Sequence, residues 1–149
     1  MDKFKKSLQM RLVSMSLYTV ALVIMAVKSV LNPSAGETEE VRAFMTGMNA
    51  GLFAVVLVAL AAAITKCIKA LKDEDKRKAL YIYENDERRL YIKSKMGGDA
   101  LQLVLLGLVA ATGAAEFYNQ TVFFTLLSAL LFTAAVKAVF KIVYTKKLT

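Results

Sequence analysis

The chain has 149 residues, 57% of them hydrophobic, a mean hydropathy of +0.49 and a formal net charge of +8. A soluble core of this size absorbs one long apolar segment, not the four present here, so an ordinary soluble domain is excluded and a single membrane domain accounts for the length. With no His and one Cys, the commonest general base and metal ligand is missing, and neither an internal disulfide nor a redox thiol pair can form.

The residues Lys3–Arg11 read as a basic amphipathic lead-in, with Phe4, Leu8 and Met10 dipping into the membrane interface. The first span follows at about 12–32. It reads as an uncleaved helix and not a signal peptide, because cleavage after Ala35 puts Pro33 where a small residue is required. Pro33 stops this helix, and Asn32-Pro33-Ser34 is a turn signal. Glu37–Glu40 then opens a second helix, since carboxylates suit a helix N-terminus, with Thr38 as N-cap. The second span, about 44–65, meets the roughly 20 residues a crossing helix needs. It carries Gly47 and Gly51, four apart on one face, where a neighbouring backbone can approach closely, and Asn49 as a polar contributor to packing. The face serves packing inside the bundle or a homodimer.

The connector 66–99 holds ten of the twenty basic residues. Helix two is expected to run on into its charged cluster Lys72–Lys78. Ala79–Tyr83 has strand-like composition. After it, Asn85 reads as an N-cap, Asp86 and Glu87 as a first turn and Gly97 as a terminator, predicting a short juxtamembrane helix at about 86–96. A β-hairpin pairing Leu80–Tyr83 with Leu90–Lys93 is the alternative.

The third and fourth spans, about 100–116 and 121–140, contain 16 strictly charge-free residues each. They reach a crossing length when Glu116 is tolerated at the end and Lys137 extends along its own stem to the headgroups. A pair of re-entrant segments is the rival arrangement. Gly107 and Ala111 form a second small-residue face, with Gln102 as its polar partner. Lys28 and Glu116 lie at similar depth and can form an outer ion pair; otherwise Lys28 snorkels and Glu116 lies in water. Asn119-Gln120-Thr121 matches a glycosylation acceptor but abuts the fourth span, where a transferase cannot reach.

If both termini and the connector share one side, that side holds 18 of the 20 Lys and Arg residues, and only Lys28 and Arg42 lie opposite. The positive-inside rule then makes that side cytoplasmic in a multi-pass cell-membrane protein. The same split accounts for the basicity without nucleic acid. The expected fold is all-α: four transmembrane helices with a short cytosolic helix between the second and third.

No catalytic set, metal cage or cofactor site can be assembled, because Asp73, Glu74, Asp75, Glu84, Asp86 and Glu87 are interleaved with basic residues. The expectation is a non-enzymatic protein. Its working surface is the connector, where Lys72, Arg77, Tyr81, Tyr83, Arg88, Arg89, Tyr91 and Lys93 combine charge with aromatic area. Those residues suit a cytosolic or membrane protein partner, or anchoring on the anionic headgroups of the bilayer. A homo-oligomeric small-solute transporter, and self-protection against a membrane-active peptide, are the alternatives. Transport requires an aqueous cavity that Ser14, Ser16, Thr19, Asn49 and Gln102 line.

The segment Tyr83-Glu84-Asn85-Asp86-Glu87-Arg88-Arg89, followed by Ile92, Lys95 and Gly97 before a hydrophobic span, resembles a pattern in uncharacterised small membrane proteins of Gram-positive bacteria. Those families have about four spans, an Asn-Asp-Glu-Arg stretch between the second and third, and a downstream Lys-Ala-Gly; many are encoded beside a small helix-turn-helix regulator. The resemblance covers the connector and the span count, about a third of the chain, and departs at Met96, where the pattern favours a small residue. It implies a bacterial source and a regulatory setting, and supplies no catalytic residue.

Overall fold

In a computed structural model, residues 2–32 and 34–147 are described. They form helices α1 (Asp2–Leu31), α2 (Glu39–Lys72), α3 (Glu74–Glu84), α4 (Glu87–Lys95), α5 (Gly98–Ala115) and α6 (Gln120–Lys147), with no strand among the described residues. Four of these, α1, α2, α5 and α6, are long and apolar enough to cross a membrane. Pro33, expected to stop the first span, lies outside the described residues.

The helices pair in chain order. α1 packs along α2, and α5 along α6, while α2–α5 and α1–α5 contacts join the two pairs. Each spanning helix contributes one residue to the central core: Leu22, Phe53, Val109 and Leu130. Tyr18 adds a polar tie across the pairs, its hydroxyl donating to the carbonyl of Leu106 at 2.7 Å. The tight helical glycine is Gly113, where an added Cβ would meet the side chains of Phe53, at Cζ 2.5 Å away, and Met25, at Cε 3.0 Å away. The expected packing through Gly47, Gly51 and Gly107 is corrected: a Cβ at any of them meets nothing within 4 Å, and Ala111 is exposed. These positions sit on faces turned away from the neighbouring helices.

At about 1.5 Å per residue, α1, α2 and α6, with 30, 34 and 28 residues, outrun a hydrocarbon layer about 30 Å thick, whereas α5 with 18 reaches about 27 Å, just short of it. The surplus lies at the end where α2 leaves for the connector, and α3 and α4 fill the space beside it. Leu8 is fully buried there against Cys67 and Ala70, with Phe4, Leu71 and Leu80 around them. Phe4 meets Tyr81 edge to face at 5.1 Å, and Arg11 binds Glu84 at 2.8 Å. The lead-in therefore packs on α2 and α3 through Phe4 and Leu8, and of the three expected interface residues only Met10 stays exposed.

The strand-like stretch Ala79–Tyr83 is helical, within α3. Local chemistry outweighs its β-prone composition. The Asp73 side chain accepts from the N–H groups of Asp75 and Lys76, Lys78 pairs with Glu74 one turn back, and Leu80 is anchored by the Leu8 cluster. Asn85 closes α3, its N–H and Nδ2 both donating to the Tyr81 carbonyl at 3.0 and 2.9 Å. The N-cap of α4 is thus Asp86, which accepts from Arg89 N–H, and not Asn85. Gly97, in the left-handed region at φ 86°, turns the chain from α4 into α5; a side chain there would strike Leu101.

Candidate functional site

Two places in the chain concentrate polar chemistry: the connector helices at one end of the bundle, and a buried cluster at the other. α3 and α4 contain no buried residue. Their aromatic side chains are partly engaged within the chain. Tyr81 packs on Phe4, Tyr91 meets Tyr144 edge to face at 6.5 Å, and the Arg89 guanidinium lies 3.4 Å over the Tyr83 ring. Lys93 binds Asp99 at 2.7 Å, Arg88 is also engaged, and Lys72 is exposed in the last turn of α2. Arg77 is half-buried, with its Nε shielded and unpartnered. Among the exposed charged residues stand apolar side chains: Ile82 is 70% exposed, with Tyr83 and Leu90 half exposed near it in sequence. The carboxyl of Asp73, which caps α3, is held below the usual carboxylate range, first by the hydrogen bond with the Lys76 side chain and then by backbone N–H groups.

The second place was foreseen in part: the sequence offered Glu116 for an ion pair with Lys28 and Asn49 for helix packing, but not the two together with Ser29 and Thr46. Glu116, the C-cap of α5, is 0% exposed. Its carboxylate draws donors from two other helices. Ser29 Oγ of α1 donates to Oε1 and Oε2 (3.0 and 2.8 Å), Thr46 Oγ1 of α2 donates to Oε1 (3.0 Å), and Asn49 Nδ2, one turn further along α2, donates to Oε2. The Glu116 carbonyl accepts from Ala35 N–H at 2.8 Å, which draws the loop between α1 and α2 over the site. The loop is latched beside it: Glu37 N–H donates to Gln120 Oε1, and Arg42 Nε donates to the Gly36 carbonyl. Below the cluster lie Met45, Ala115, Phe123 and Leu127.

The expected Lys28–Glu116 ion pair is corrected by this geometry. Lys28 is exposed, and its neighbour Ser29 is the residue on the inward face of α1. Among the described residues no Lys or Arg forms an ion pair with Glu116; Arg42, the other basic residue at this end, reaches Glu39 at 3.9 Å instead. Asn49 is also fully buried, and its Oδ1 has no hydrogen-bond partner. The sequence signal for this site was present: Ser29, Thr46, Asn49 and Glu116 are the small polar residues and lone acid at one depth of three spans.

Other polar side chains of the spans are consumed locally. Ser14 and Thr19 donate to the carbonyls of Arg11 and Met15 in their own helix, and Gln102 accepts from Lys137 of α6. Asn119 Oδ1 caps α6 through the N–H groups of Thr121 and Val122. Compared with family models, with curated proteins and with solved structures, the chain finds no match.

Proposed function

We propose that the protein is a non-enzymatic accessory or regulatory protein of the cell membrane that docks a partner protein through its connector, with the connector and both termini in the cytosol. The observation that carries this is the exposure of Ile82, Tyr83 and Leu90 among Lys and Arg, on two helices that contain no fully buried residue. A surface of this kind gains from being covered, and mixed aromatic and basic composition suits a partner of apolar and acidic character. The orientation rests on the 18 of 20 basic residues gathered at that end. The alternative of a small-solute transporter draws less support, because Ser14, Thr19 and Gln102 engage their polar groups within the chain.

The test is crosslinking capture from native membranes, with Ile82→Ser/Tyr83→Ser/Leu90→Ser beside the native chain. The expected result is a partner captured by the native protein and lost from the triple variant, whose membrane insertion and melting are unchanged. Recovery of the protein alone, or of the same partners by both chains, overturns docking. If α3 and α4 gain exchange protection in anionic nanodiscs without any protein partner, the surface is a headgroup anchor.

A further inference from the structure

We infer that the Glu116 cluster is a binding site for a small monovalent cation, with sodium the ion whose size and charge suit it. Five hard oxygens are available from three helices: both carboxylate oxygens of Glu116, Ser29 Oγ, Thr46 Oγ1 and Asn49 Oδ1. Hydroxyls that donate to a carboxylate keep lone pairs for a cation, and rotate to present them. The two ends of the Asn49 amide exchange by a half-turn, so the unpartnered Oδ1 can take the position on the carboxylate that Nδ2 holds now. An ion at the centre then takes up this Asn49 oxygen, the one buried side-chain oxygen among the described residues without a hydrogen-bond partner.

Charge points the same way. A fully buried carboxylate without a basic partner is costly in a low-dielectric interior. A cation relieves that cost. With a single carboxylate the site offers one formal negative charge, which balances a monovalent ion and leaves a divalent one undercompensated. The hydroxyl oxygens now stand at hydrogen-bond distance from the carboxylate, 2.8–3.0 Å, and seating an ion of calcium's size, whose shell lies about 2.3–2.6 Å out, opens these separations to about 3.3–3.7 Å as the hydroxyls turn their lone pairs to it. Sodium has that size with half the charge.

The experiment is thermal unfolding of the detergent-purified full chain in equimolar sodium chloride or choline chloride. A ligand held only by the folded state raises the midpoint, and for a chain of this length saturation predicts a rise of about 5 °C in sodium. Glu116→Gln keeps the shape and hydroxyl partners but removes the charge, so its midpoint should be the same in both salts. Ser29→Ala and Thr46→Val, each deleting one ligand, should shift the sodium concentration for half-maximal effect upward; they serve the same purpose if Glu116→Gln fails to fold. Equal midpoints for the native chain in both salts overturn the assignment. So does a sodium effect that survives Glu116→Gln, a larger rise with calcium than with sodium, or a midpoint that follows pH and ignores sodium, which would make the ligand a proton. None of these outcomes bears on the connector surface, so the docking proposal is judged separately.

Discussion

Gly113 and Gly47 set opposite limits on substitution, although both are helical glycines in apolar spans. A side chain at Gly113 runs into the buried Phe53 ring and Met25, and overpacking of a dense core costs about 1–3 kcal/mol. Gly113→Leu is therefore expected to lower the unfolding midpoint in detergent, while Gly47→Leu, opening onto free space, should leave it within about 0.5 kcal/mol of the native chain. A large loss at Gly47 would mean that its face is covered by a second copy. Both glycines stand in small-residue runs, and a one-dimensional spacing rule ranks Gly47–Gly51 higher. The distinction depends on which face of each helix the neighbours occupy. Glu116 shows the same limit: its residue type and depth were legible, but its partners depended on the rotation of α1, which turns Ser29 inward and Lys28 outward.

At the scale of elements, α3 depends on its first turn. The Asp73 carboxyl is held below its ordinary value of about 3.9 by Lys76 and by N–H groups of the turn. A lowered folded value means that the ionised form is the one the helix favours. Its contribution is complete above the unfolded value and is lost as pH falls through the folded one. Amide exchange at Asp75–Lys78 should accordingly accelerate as pH drops below about 4, after correction for intrinsic rates, and Asp73→Asn should remove that step. An unchanged profile in Asp73→Asn would assign the step to another carboxylate. The connector also shows where composition misleads: Leu80–Tyr83 is rich in β-prone side chains, yet a cap, an i to i+4 ion pair and packing against Leu8 hold it in a helix. The terminator at Gly97 was legible because only glycine suits the left-handed turn there.

For the whole molecule, the proposed orientation has a direct test. Ile82 and Tyr118 are highly exposed at opposite ends of the bundle, and the single Cys67 is buried. In a Cys67→Ser background, Tyr118→Cys should react with a membrane-impermeant thiol reagent on intact cells, and Ile82→Cys should react only after the membrane is opened. The reverse pattern would invert the topology. By itself the sequence determined the helical class, the four apolar crossings and the gathering of basic charge at one end, because these follow from segment length and composition alone. Tertiary structure alone decided that the N-terminal lead-in packs on the connector, that Gly113 makes room for the Phe53 and Met25 side chains, and that Ser29, Thr46 and Asn49 close around Glu116. In each case the physical reason is rotation about a helix axis: in an apolar span every face has a similar composition, so only the packed neighbours determine which side chains meet.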